Sequence, residues 1–241
     1  MDEHGQHWAL VRTLSLFAAL AVLPNPADAC RLALVLAMDV SISVDAREDA
    51  LQRQGLANAL LAQDVQDAFF VSPDPVALAI FEWSGRFSQS EILDWTLIET
   101  PEDLEDASER VSTSARQYTD DPTALGHALG YASLLLRDAP DCLFKTIDVS
   151  GDGESNDGFP PSSAFAAFPF EGVTVNGLAI RTDAEGEPFH LPTYYETEVI
   201  RGAGAFIEEA AGFVDFENAM ERKLVRELQA LAIGWLAPAD Q

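Results

Sequence analysis

Residues 32–38 read Leu-Ala-Leu-Val-Leu-Ala-Met, an unbroken apolar run that stops dead at Asp39. A run of this length with no polar alternation predicts a strand covered on both faces, in the interior of a sheet. Val76–Trp83, residues 143–149 and Val173–Ile180 read as further strands, and residues 91–98 as another for which an edge position is open. Helical segments fall between them, over residues 44–62, 101–114, 122–137 and 162–168. In the third, Leu125, Leu129, Ala132 and Leu136 form one stripe. Near the end of the chain, Phe216, Met220, Leu224, Leu228 and Leu231 form another. Residues 181–193 read as a loop and 205–209 as a last short strand. This alternation predicts an α/β fold, a doubly wound, mainly parallel, Rossmann-like sheet with helices on both faces. Ligands of such sheets bind beyond the carboxyl ends of the strands, where the winding reverses.

With 241 residues, 48% of them hydrophobic, the chain has material for one large core. Its 40 acidic and 14 basic residues give a net charge of -26. That balance argues against nucleic acid and anionic membrane as partners, since both are held by clustered Lys and Arg.

Arg12, the apolar residues 14–23, Pro24, Pro26 and then Ala27-Asp28-Ala29 have the form of a signal peptide cut before Cys30. Asp2 and Glu3 depart from the usual basic start, and a start downstream of Met1 would leave the mature chain unchanged. Residues 1–29 are therefore expected to be a leader and 30–241 a single domain, secreted or periplasmic, with no membrane span. The apolar run is shorter than the roughly 20 residues a spanning helix needs. Without the leader the chain keeps 13 basic and 37 acidic residues, a charge of -24. The two cysteines, Cys30 and Cys142, suggest one disulfide in an oxidising compartment. The rival is acylation of Cys30 in a lipoprotein, but the Leu usual three residues before such a cysteine is replaced by Ala27.

Two polar clusters directly follow predicted strands: Asp39-Val40-Ser41-Ile42-Ser43 and Ser150-Gly151-Asp152-Gly153. Thr123 lies between them, at the expected start of a helix. Taken singly, Ser43 and Thr123 are plausible helix caps and Gly-Asp-Gly an ordinary turn. Taken together, three hydroxyls and two carboxylates make the oxygen-rich set that a hard cation such as Mg2+ prefers.

Asp39-x-Ser41-x-Ser43, Thr123 and the Asp152-Gly153 pair resemble the metal-ion-dependent adhesion site of von Willebrand factor A domains. Glu82-Trp83-Ser84, residues 148–153, Tyr194-Tyr195 and Gly204-Ala205-Phe206 further resemble a bacterial subgroup of secreted A-like proteins, domain of unknown function 1194. The resemblance covers about residues 32–231. It implies that Asp39, Ser41, Ser43, Thr123 and Asp152 hold Mg2+ (or Mn2+ or Ca2+), and that a partner protein or peptide supplies an Asp or Glu carboxylate to complete the shell. It also implies that the first and fourth strands are parallel neighbours. Cys30, nine residues before Asp39, and Cys142, ten before Asp152, would then meet at the opposite end of the sheet, across the roughly 4.8 Å between strands.

Rival readings are an ion with a purely structural role, a metal-dependent hydrolase and a calcium loop. Against the hydrolase, Ser41 stands where an aspartyl phosphatase has its second Asp, no Gly-x-Ser-x-Gly elbow occurs, and His127 and His190 lack an indicated partner. Against a calcium loop opening at Asp148, Phe159 replaces the twelfth-position Glu. Asp152, Glu154, Asn156 and Asp157 would still suit a loosely held surface cation. The expectation is a binding module rather than an enzyme.

Overall fold

The computed structural model describes residues 30–182 and 190–236. The leader reading of residues 1–29 lies outside them, as does most of the 181–193 loop. In chain order the elements are β1 (Cys30–Asp39), α1 (Ala46–Leu61), α2 (Gln63–Phe69), β2 (Val76–Trp83), β3 (Gln89–Ile98), α3 (Pro101–Thr113), α4 (Leu125–Arg137), β4 (Cys142–Gly151), α5 (Pro161–Ala167), β5 (Val173–Ile180), α6 (Leu191–Tyr194), β6 (Ile207–Ala210) and α7 (Phe216–Leu236). A π-helical turn, Tyr195–Val199, continues α6.

The six strands lie in the order β3-β2-β1-β4-β5-β6. All neighbours are parallel except β2 and β3. From β1 the chain winds outward through β2 to β3, then crosses back to β4 and winds the other way through β5 to β6. The reversal lies between β1 and β4, with Met38 level with Ser150. Their carboxyl ends therefore border the crevice in which a doubly wound sheet binds ligands.

Every residue of β1 is buried. Leu32, Leu34, Leu36 and Met38 face one layer with Leu56, Leu60, Phe216, Leu224 and Leu228. Ala33, Val35 and Ala37 face the other, with Leu125, Leu129 and Tyr195. This two-sided burial is what the unbroken apolar run requires. At the far end Cys30 pairs in register with Cys142, and the two form a disulfide with a Cα–Cα distance of 4.4 Å.

Several boundaries differ from expectation. The helix after β1 starts at Ala46 because Asp45, not Ser43, caps it, accepting from the amides of Arg47 and Glu48 while the Glu48 carboxylate accepts from Asp45 N–H. A further helix, α2, follows a break at Ala62. Its buried Val65, Ala68 and Phe69 are too few to mark a stripe in a polar heptapeptide. Helix α4 begins at Leu125, not at 122, because both backbone groups of Thr123 are held by Asn156. The last strand runs two residues later at its start than the sequence suggested.

Candidate functional site

The turn after β1 is folded around its own polar groups. Ser41 N–H donates to Asp39 Oδ1 at 2.7 Å, which curls the chain back directly after the strand. Arg116 then clamps the turn from outside, donating to the carbonyls of Val40 (2.7 Å), Ser41 (3.0 Å) and Val44 (2.7 Å). Gln52 on α1 donates to the Asp39 carbonyl at 2.8 Å. Neither Arg116 nor Gln52 carries a sequence signal, because the carbonyls they hold belong to no periodic pattern.

Thr123 reaches the same place from the loop before α4. Its N–H donates to Asn156 Oδ1 at 3.0 Å, and its carbonyl accepts from the amides of Asn156 and Asp157. Asn156 is thus a brace for Thr123, and Asp157 is paired with Arg86 at 2.6 Å. The loosely held surface cation expected over residues 152–157 accordingly loses Asn156 and Asp157 to structural bonds.

These loops bring the five sequence-identified residues together. Thr123 Oγ1 donates to Ser41 Oγ at 3.2 Å, Ser41 Oγ lies 3.1 Å from Ser43 Oγ, and Ser43 Oγ donates to Asp152 Oδ1 at 2.7 Å. Asp39 and Ser41 are fully buried, Thr123 and Asp152 nearly so, and Ser43 is exposed, which opens the cluster to solvent on its side. Asp39 Oδ2 and Asp152 Oδ2 are buried without a hydrogen-bond partner among the described residues. Gly151 allows the close approach: a Cβ there would stand 3.0 Å from Asp39 Oδ2. Burial, and then the charge of Asp152, push the Asp39 carboxyl up to about 7. Burial also raises that of Asp152, against the Ser43 hydrogen bond. Two carboxylates held this close and dry repel one another, and a cation between them would reverse the penalty.

The donor set fits a hard divalent ion. Octahedral ligands at 2.0–2.1 Å stand about 3.0 Å apart along an edge, and the hydroxyl separations here are 3.1 and 3.2 Å. Among the described residues no three His, Cys, Asp or Glu side chains form a cage of their own, and the hydroxyls stand beside the two carboxylates as further oxygen donors. The calcium-loop reading fails, since Asp148 lies inside β4 and pairs with Lys223. His127 is stacked on Phe159 with ring centroids 3.9 Å apart, a packing role; His190 is exposed.

Residues 29–232 match the family described as "Protein of unknown function (DUF1194)". The chain belongs to the DUF1194 family. No curated protein matches it. Among solved structures, this DUF1194 chain is similar to proximal thread matrix protein 1 from the mussel byssus, with a TM-score of 0.60 and 19% identity over 83% of this chain and 48% of that one. A form of the same byssus protein described with a zinc-occupied MIDAS motif gives 0.56 and 14%, over 83% and 46%. The von Willebrand factor type A protein from Catenulispora acidiphila gives 0.58 and 16%, over 83% and 43%. Pilus adhesin SpaC from Lactobacillus rhamnosus GG gives 0.58 and 13%, over 84% and 30%. The DUF1194 chain thus spans about half or less of the length of these proteins. At such identities they show its fold, that of a von Willebrand factor A domain.

Proposed function

We propose that residues 30–241 form one secreted or periplasmic binding domain. It takes up a divalent cation on Asp39, Ser41, Ser43, Thr123 and Asp152, and through it recognises a carboxylate of a partner protein or peptide. The observation that carries this reading is the continuous Thr123–Ser41–Ser43–Asp152 chain of side-chain contacts, flanked by two buried carboxylate oxygens without partners. Mg2+ is the best match to an all-oxygen, hydroxyl-rich set, with Mn2+ or Ca2+ as close substitutes.

The three hydroxyls would offer neutral ligands, and Asp39 and Asp152 would orient the shell. A cation held mostly by neutral groups retains charge toward solvent, and that charge attracts an outside carboxylate. Ile42, between the two serines, is 61% exposed and Phe87 is 90% exposed. An acidic residue flanked by apolar ones therefore suits the surface presented there. The byssus protein with its zinc-occupied motif and the pilus adhesin support a binding role over a catalytic one. The disulfide supports an oxidising compartment, and among the described residues no helix is long and apolar enough to cross a membrane.

The test is capture of partners from a periplasmic or extracellular extract with Mg2+ present. Binding lost on adding chelator and in Asp39→Ala is the expected result. A folded Asp39→Ala protein that captures the same partner with chelator present would overturn the proposal.

A further inference from the structure

A third buried oxygen lacks a partner near this cluster, and it belongs to neither motif loop. The ring of Tyr195 is fully buried, and its hydroxyl makes no hydrogen bond among the described residues. Gly151 fixes where that hydroxyl points. A Cβ on Gly151 would stand 2.7 Å from Tyr195 Oη and 3.0 Å from Asp39 Oδ2. The two oxygens are therefore no more than about two hydrogen-bond lengths apart, and Asp152 with its own unpartnered Oδ2 is the next residue along the chain.

The fold takes trouble to hold the ring there. Tyr195 opens the π-helical turn Tyr195–Val199, a departure from α-helical winding often found at functional positions. Its edge lies on Gly177 of β5, where a Cβ would stand 2.4 Å from Tyr195 Cδ1. Gly177 follows Asn176, the residue level with Asp148, in the strand beside β4. Two glycines on adjacent strands thus clear a slot for one tyrosine. A phenylalanine would fill the slot equally well, whereas a buried hydroxyl left without a partner costs about 1–3 kcal/mol.

We propose that Tyr195 is a positioning residue for the cation site: its hydroxyl donates a hydrogen bond to a water that Asp39 Oδ2 also holds, and fixes that water as part of the cation's shell. This rests on the metal reading above. The water accepts from the phenol, donates to Asp39 Oδ2 and keeps a lone pair for the ion, while its second hydrogen is available to Asp152 Oδ2. Buried waters persist where two to four polar partners converge, and partners beyond the direct ligands tune metal affinity.

The experiment is calorimetric titration of the full chain with Mn2+ alone at pH 7.5, for wild type, Asp39→Ala and Tyr195→Phe, with the thermal midpoint of each protein measured cation-free. The expected result is a 10- to 100-fold weaker Kd for Tyr195→Phe, with a cation-free midpoint equal to or above wild type. A merely structural role would lower the midpoint and leave the Kd alone. Wild-type Kd in Tyr195→Phe, with binding lost in Asp39→Ala, overturns the role of Tyr195 and leaves the cation site standing. Equal titrations for wild type and Asp39→Ala overturn both. Should Tyr195→Phe fail to fold, a crystal structure of the wild type with Mn2+ decides: a water within hydrogen-bond distance of both Tyr195 Oη and Asp39 Oδ2 supports the proposal, and its absence overturns it.

Discussion

Lys223 Nζ lies 2.9 Å from Asp148 Oδ1, with neither side chain more than 1% exposed, so a contact between an ammonium and a carboxyl group ties α7 to β4 inside the core. Glu227 Oε1, 3.1 Å from the same ammonium, brings a second carboxylate, and Asn176 donates to Glu227. One cation thus faces two acids in a dry setting. Burial, and then the charge of Glu227, push the Asp148 carboxyl up to about 8. Burial opposes the charge on Lys223, but Asp148 and Glu227 outweigh it and its pKa is raised.

The sign of the pH dependence follows from these directions. Between pH 4 and 8 the native state keeps a proton on Asp148 that the unfolded chain has released. Stability from this group is full below the unfolded value and is lost as pH rises through the native one, at up to about 1.4 kcal/mol per pH unit. Urea midpoints of the cation-free protein are expected to fall from pH 5 to pH 8. Asp148→Asn should flatten that fall, and an unchanged slope would refute the assignment.

Asp39→Asn separates the cost of the site from its use. Since burial and Asp152 hold the Asp39 carboxyl near 7, its ionised form weakens the cation-free fold above that pH. The variant is expected to melt no lower than wild type at pH 8 without cation. Wild type should gain about 2.7 kcal/mol when Mg2+ is present at a hundred times its Kd, and the variant should gain far less. Thermal denaturation with and without Mg2+ reads both effects.

Gly177→Ala should act on Tyr195. The added methyl would stand 2.4 Å from the ring carbon Cδ1, so the ring must move in a closely packed layer. Overpacking of this kind costs about 1–3 kcal/mol. Denaturant titration gives the loss, and a changed near-ultraviolet circular dichroism signal would show that the tyrosine has shifted.

Removing the disulfide should lower stability without touching the cluster. Cys30 and Cys142 close a loop of 112 residues, for which chain entropy gives about 4.7 kcal/mol as an upper figure and 2–4 kcal/mol is typical. The double variant Cys30→Ala with Cys142→Ala is expected to lose that much and to keep the stabilising response to Mg2+. Loss of the response in a folded variant would contradict this separation.

Much of this was legible in the sequence, for identifiable reasons. β1, β2 and β5 are buried on both faces, so their ends appear as the ends of apolar runs. Asp39, Ser41 and Ser43 stand directly after the first of these runs and Asp152 directly after β4, where the doubly wound sheet puts its ligands. Thr123 follows no strand and is marked in the sequence only as a hydroxyl at the expected start of a helix. Arg116 and Gln52 carry no sequence signal, and Asn156 reads only as part of a loose cation site, because each acts through long-range bonds to backbone groups. Lys223 lies outside the apolar stripe Phe216, Met220, Leu224, Leu228 and Leu231, yet it is fully buried. Its partners sit 75 residues upstream and one helical turn onward, a relation no periodicity reveals.

Arg31, one residue after Cys30, donates to the carbonyl of Leu228 at 3.2 Å and to those of Ala68 and Phe69 at 2.8 Å. The first strand's entry and the later turns of the last helix are therefore laced together at the disulfide end. A tag, bead or surface coupled through either flank would hold the domain by its base, with Ser43, Ile42 and Phe87 facing outward. That makes the DUF1194 domain suited to immobilised capture, in which a bait must be gripped without masking the surface it is meant to offer.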